Sequence, residues 1–251
     1  MPTAITRAVS PALNRCELTY LDRVPIDVAR AAAQHDLYCR CLGDLGLDVI
    51  TLAADPDLAD SVFVEDPVVA VDEVAVMARM GAESRRREAE TLAEAVARYR
   101  PIQWMTAPAT LEGGDVFRAG RTLFAGLSQR TNAAGIAQLA EFLAPHGYDV
   151  RAVEVRGCLH LKSGACYLGR DTILANRDWI DADSLHGFRI LEVAEPWAAD
   201  VLAIGDTILM PAGFPRTQEL IAREGFTVQT VDVSELQKAE AGVTCMSVIL
   251  G

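Results

Sequence analysis

LEGGDVFRAGRTLFAGLSQR, residues 111–130, is two apolar runs hinged at Gly120 and followed by Gly126, Ser128 and Arg130. Apolar runs on either side of a glycine turn read as a β-hairpin. The next stretch, AAGIAQLAEFLAPHG, spaces its apolar residues for a helix, and YDVRAVEV after it returns to strand-like composition. The unit is ββαβ.

The pattern recurs on both sides. VFVEDPVVAVDEVAVMARMGAESRR (62–86) turns at Asp72-Glu73 and closes on Gly81 and Arg85 before the helical ETLAEAVARY. LHLKSGACYLGRDTILANR (159–177) turns at Gly169-Arg170-Asp171, closes on Asn176-Arg177, and is followed by only a short DADSLHG and then FRILEV. WAADVLAIGDTILMPAGFPR (197–216) turns at Gly205-Asp206 and closes on Gly213 and Arg216, ahead of TQELIAREG and FTVQTVDV. Aligned on Asp66, Asp115, Lys162, Asp200 and Cys245, the steps are 49, 47, 38 and 45 residues. A fifth copy is split across the ends: GVTCMSVIL supplies one strand, AITRAV the next, VARAAAQHDLYCRCLGDLG the helix and DVITLA the last strand. The expected fold is α/β, a five-bladed α/β-propeller of pseudo-symmetric ββαβ units, closed by the C-terminal strand joining the N-terminal unit. Residues 1–251 form one domain in this reading. A doubly wound α/β sheet is also permitted by the alternation of strands and helices, but its parallel sheet does not account for the recurring hairpin-Gly-Arg pattern.

Composition narrows the function. With 23 basic and 35 acidic residues the net charge is −12, which opposes unspecific attraction to phosphate backbones or anionic lipid. Neither a nucleic-acid nor a membrane partner is expected. No run approaches the roughly 20 apolar residues of a membrane span, and MPTAITRAVSPALNR is not a signal peptide, so the expected compartment is the cytoplasm. The six cysteines show no C-x-x-C spacing and read as reduced thiols. His35, His146 and His186 read as surface residues.

In a ring of such units the equivalent first strands converge on the axis, bringing together Asp66, the Glu112 to Asp115 segment, His160, Asp200 and Cys245. A thiol, an imidazole and paired carboxylates make a nucleophilic-catalysis set. The local sequences DSVFVEDP (60–67), GAESRR (81–86), LEGGD (111–115), SQRTN (128–132), LHLKSG (159–164) and GVTCMS (242–247) resemble, in order, the motifs of the dimethylarginine dimethylaminohydrolases, members of the guanidine-modifying superfamily with a five-bladed α/β-propeller. The resemblance spans essentially the whole chain.

It implies hydrolysis of dimethylarginine and monomethylarginine to citrulline, with no cofactor and no metal. Cys245 is implied as the nucleophile, His160 as general acid and base, and Glu112 as the carboxylate that orients His160 and meets the guanidinium. Asp66 is implied as a second guanidinium anchor, with Asp60 and Glu65 as its partners and Phe63 packing on the substrate. Arg85 and Arg130 would take the substrate carboxylate, where helix starts also favour an anion. Leu18 resembles a lid residue whose backbone meets the substrate amine, and Thr244 a small polar site residue. Arg177 and Arg216 repeat the hairpin-Arg pattern without a motif match and read as structural or ion-paired. The expected partner is a small-molecule substrate, and a homodimer is compatible with the sequence. Zinc held by Cys158, His160, Cys166 and Cys245 is disfavoured, because strand alternation splits these residues between faces; inhibitory zinc on Cys245 and His160 fits the residues better. An arginine deiminase shares the catalytic set, but resembles a longer chain with a helical insertion, whereas only 26 residues (112 − 85 − 1) separate Arg85 from Glu112 here. A five-bladed relative that only binds would lack the nucleophile.

Overall fold

The structure, a computed structural model, describes residues 1–251. Its elements follow the repeat. The N-terminal piece is β1 (Thr3–Arg7), α1 (Val28–Asp44) and β2 (Asp48–Leu52). The next two units are β3 (Val68–Ala70), β4 (Ala75–Met77), α2 (Arg87–Ala97), β5 (Ile102–Trp104), then β6 (Val116–Ala119), β7 (Thr122–Leu127), α3 (Ala133–Leu143) and β8 (Asp149–Glu154). A single helical turn α4 (Leu161–Gly164) leads into β9 (Ala165–Gly169), β10 (Thr172–Ala175), a 3-10 turn at Ala182–Leu185 and β11 (Arg189–Glu192). The last units are β12 (Leu202–Ile204), β13 (Thr207–Pro211), α5 (Pro215–Arg223), β14 (Thr227–Val231), then α6 (Ser234–Gln237) and β15 (Val248–Leu250).

These strands make five three-stranded sheets. In four of them, the first two strands pair antiparallel through a tight turn and the third pairs parallel with the second. A parallel partner demands a crossover, which a helix or, in the fourth sheet, the 3-10 turn provides. The split copy is real: β15 pairs antiparallel with β1, Thr3 opposite Leu250, and β2 lies parallel on the other side of β1.

Closure of the ring is visible in how alternate side chains are shared. Along a strand, successive residues face opposite sides. Val68 joins one core with Ile5, Met77, Leu92 and Val248, while Val69 joins another with Val76, Leu111, Leu123 and Leu139. Val116 goes to that second core, and Phe117 to a third with Phe124, Leu161 and Ile173. Leu174 and Ile208 meet in a fourth, whereas Leu209 packs in the fifth with Ala4, Tyr38 and Val231. Each sheet thus lies between two cores, which is why its strands read as unbroken apolar runs. The first strands together surround a central cavity of about 410 Å³, lined by Val68–Val71, Val116, Phe117, Val201–Ala203 and Ser247–Leu250.

His35 departs from its expected surface position: it is 1% exposed, because the α1 face that carries it, with Ala31, Tyr38 and Leu42, turns inward. Burial pushes its imidazole down to about 4, Asp36 opposing, so the ring is neutral. Arg177 is ion-paired with Asp183 and Glu192 as expected, while Arg216 is exposed and has no such partner. No helix is long and apolar enough to cross a membrane.

Candidate active site

The residues aligned by the repeat converge at one end of the central cavity. After β2 the chain runs through turns to Asp66, and a 3-10 turn at Gly113–Asp115 brings Glu112 beside it. The two glycines are required by close approach. A Cβ at Gly113 would lie 2.1 Å from the Glu65 carbonyl oxygen, and one at Gly114 would lie 2.6 Å from His160 Nδ1 and 2.7 Å from Asp66 Oδ1. With the side chains absent, Gly113 N–H donates to the Asp66 carbonyl at 2.8 Å and Gly114 N–H to Asp66 Oδ1 at 3.2 Å.

His160 is fixed from two sides. Its Nε2 meets Glu112 Oε2 at 2.8 Å, and its Nδ1 lies 3.8 Å from Asp66 Oδ1. Burial disfavours the imidazolium, but Asp66, the Glu112 hydrogen bond and Asp115 outweigh it and hold the ring protonated up to about 9. Burial likewise opposes the Glu112 carboxylate, and the His160 hydrogen bond and charge reverse that and keep it ionised. Asp115 accepts from Ser128 Oγ at 2.6 Å, Thr131 Oγ1 at 2.7 Å and Leu161 N–H at 2.9 Å, so it anchors the residue next to His160. The ligand atoms of Asp66, Glu112 and His160 lie within 4.8 Å of one another.

Cys245 precedes β15 on a turn held by Asp200. That carboxylate accepts from Thr244 N–H at 3.0 Å and lies 3.3 Å from Thr244 Oγ1, and a Cβ at Gly242 would strike it at 2.0 Å. Gly242 N–H points at Cys245 Sγ, 3.4 Å away. Burial, followed by the charges of Asp200, Glu65 and Asp66, pushes the Cys245 thiol well above its ordinary range. Phe63 and Leu18 pack in the core that contains Cys245. Thr244 Oγ1 also donates to Glu65 Oε2 at 2.9 Å, and Lys162 Nζ meets Glu65 Oε1 at 2.5 Å. Glu65, Lys162 and Thr244 line the end of the central cavity, whereas Cys245, His160 and Glu112 do not. They form a floor between cavity and site.

The two arginines are placed differently. Arg85 is buried and bidentate to Glu88 (3.0 and 2.8 Å), with Nη1 on Asp66 at 2.8 Å. Arg130 Nη1 lies 3.5 Å from Glu112, and its Nη2 donates to Thr19 Oγ1 at 2.9 Å. Asp60 makes no hydrogen bond to this cluster, though its charge bears on Arg85 and Asp66; both its oxygens accept from Glu17 N–H at 3.2 Å, at the base of the exposed segment 19–25. Cys158 and Cys166 turn their thiols to the carbonyls of His160 and Lys162, and the four-ligand set with His160 and Cys245 is not assembled. Asp115, Asp200 and Lys162 were legible only as repeat-equivalents of Asp66; their tasks were not.

A thiol, an imidazolium–carboxylate pair and a further carboxylate at the axis of a five-unit α/β-propeller define a guanidine-modifying enzyme. The model of the family described as "N,N dimethylarginine dimethylhydrolase, eukaryotic" matches residues 21–188. The chain is 41% identical over 249 residues to the N(G),N(G)-dimethylarginine dimethylaminohydrolase of Streptomyces coelicolor, covering 98% of this chain and 96% of that one. It is 40% identical over 225 residues to the enzyme of that name from Pseudomonas aeruginosa, covering 88% and 89%. A crystal structure of a dimethylarginine dimethylaminohydrolase histidine-to-glycine variant, as its adduct with S-methyl-L-thiocitrulline, superposes with a TM-score of 0.95 at 38% identity, covering 100% of both chains. The chain belongs to the dimethylarginine dimethylaminohydrolase family.

Proposed function

We propose that the protein hydrolyses Nω,Nω-dimethyl-L-arginine, and Nω-monomethyl-L-arginine, to L-citrulline and the corresponding methylamine. The observation that carries the reading is that Asp66, whose charge bears on Cys245, lies with the His160–Glu112 pair on this family's scaffold. The substrate guanidinium occupies the place between Asp66 and Glu112, where carboxylates match its planar donors and exclusion of water strengthens the pairing. As it enters, before water is excluded, its charge favours loss of the Cys245 proton to solvent, and the thiolate then attacks the guanidinium carbon. Nε2–H of His160 is engaged by Glu112, so Nδ1–H supplies the proton as the C–N bond breaks and the amine leaves. The result is a thiouronium on Cys245. Neutral His160 then takes a proton from water as its oxygen adds to the same carbon; the C–S bond breaks, the new O–H passes its proton to the departing sulfur to restore the thiol, and citrulline is released.

Arg130 is the anchor for the substrate carboxylate, since it gives up only a threonine hydroxyl to do so. Arg85 is already engaged by Glu88 and Asp66, so it acts chiefly by orienting Asp66, with its remaining N–H groups free to donate. Glu65 and Thr244 support the wall behind Cys245, Phe63 packs beside it, Leu18 meets the substrate amine, and Asp60 holds the segment that carries Leu18. The charge of −12 and six free cysteines favour a cytoplasmic enzyme with a small-molecule substrate and neither nucleic acid nor membrane as partner. A homodimer is compatible with the exposed Trp104 and Leu127 and is checked by light scattering. The deciding experiment is citrulline release from dimethylarginine and from arginine, with Cys245→Ser as the blank. Release from the methylated substrate that the variant loses supports the reading; release mainly from arginine would move the protein to the deiminases.

A further inference from the structure

Every group assigned to the reaction is buried: Cys245 is 8% exposed, His160 4% and Glu112 0%. Substrate therefore enters only when something moves. The segment from Thr19 to Pro25 is exposed and has no regular secondary structure, and Tyr20, Leu21 and Val24 are among the most exposed large apolar side chains. Behind it lies a cavity of about 240 Å³, lined in part by Leu21, Trp197, Phe214 and Glu240. Apolar packing holds this segment weakly.

The geometry points to Glu240 as the residue that latches this segment over the site and so positions Leu18 and Thr19 for the substrate head group. Its carboxylate accepts three successive backbone N–H groups: Thr19 at 3.0 and 3.1 Å, Tyr20 at 2.5 Å and Leu21 at 2.5 Å. No helix or strand otherwise satisfies those donors. Glu240 is 4% exposed and sits at φ 60°, a left-handed conformation that favours glycine, two residues before Gly242. A side chain there is retained against backbone preference, and the latch gives it a task. The segment it holds also carries Thr19 Oγ1, the acceptor of Arg130. Release of the latch thus withdraws Thr19 from Arg130 as it opens the site, and when the segment closes over a substrate the substrate carboxylate takes the threonine's place on Arg130. Glu240 touches no reacting atom and acts as a positioning residue.

The inference rests on the hydrolase reading for its kinetic arm but not for its second arm. Glu240→Ala is expected to raise KM for dimethylarginine at least about tenfold, with kcat changed less, since charged-acceptor hydrogen bonds that hold the closed form are lost. The second arm is alkylation of Cys245 by iodoacetamide, a small neutral reagent that needs no head-group contact. It should run at least about fivefold faster in Glu240→Ala, because the open form is more populated. Glu240→Gln keeps an oxygen at the shared acceptor position and should restore most of both values. Should Glu240→Ala fail to fold, Glu240→Asp, one methylene short of the three N–H groups, is read in the same assays. Alkylation and KM both within twofold of wild type in a folded variant would overturn the latch. Faster alkylation in a protein with no activity on dimethylarginine would leave the latch standing and overturn the substrate reading instead.

Discussion

A cysteine thiol near pKa 8.5 and an imidazole near 6.5 start on opposite sides of neutrality, and this site pushes both upward. Cys245 rises because burial and three carboxylates oppose a thiolate; His160 rises to about 9 because Asp66, Glu112 and Asp115 outweigh its burial. The resting pair at pH 7 is thiol and imidazolium, so activation of the nucleophile falls to the cationic substrate. The acid must stay charged for the amine to leave, and kcat/KM is expected to fall as pH rises through about 9. The same shift appears in stability. A pKa raised on folding contributes stability that is complete below the ordinary 6.5 and is lost through about 9. The difference in Tm between wild type and His160→Asn should therefore shrink across that window; a constant difference from pH 6 to 10 would count against the ion pair. Arg130→Ala removes a charge-assisted anchor of roughly 1.5–3 kcal/mol, an expected rise in KM of about ten- to a hundredfold. An unchanged KM would remove Arg130 from the substrate site.

At the scale of the element, the 3-10 turn at Gly113–Asp115 is the piece with least tolerance. Gly114→Ala would push its Cβ onto His160 Nδ1, and a displacement of that size costs about a hundredfold in kcat without unfolding the sheet. Circular dichroism and citrulline release on the same sample separate the two effects; full activity would show that the ring can yield. Hairpins, turns and long helices were legible because their signals are local: Gly120, Gly169 and Gly205 do take positive φ at the turns. β5 was less so, with three residues after Pro101 and two of them exposed. The catalytic motifs were legible as a resemblance, and the repeat alignment marked where they meet. What escaped was long-range pairing. Nothing near Glu240 announces Thr19, 221 residues away, and nothing near Glu65 announces Lys162, 97 residues on. The buried His35 escaped because the helix around it is mixed in composition.

For the whole molecule, the sharing of each sheet between two cores means that there is no end unit. Circular permutation tests this directly. Because Thr3 and Leu250 are paired, a short linker can join residues 1 and 251, and new ends can be cut at the exposed Gly205-Asp206 turn. The permutant is expected to fold and turn over substrate at near-wild-type rates. Removal of residues 247–251 instead takes Val248 and Leu250 out of a core, about 1.5–3 kcal/mol each, and bares the edge of β1. Such a chain should lose its cooperative unfolding transition; retention of that transition would mean that the seam is dispensable. The seam lies in the unit that also carries the nucleophile, with Cys245 only three residues before β15. Assembly and reactivity are therefore one event. While the ring is open the cysteine has no guanidinium pocket beside it, so only the finished fold can bring it the cationic substrate that activates it.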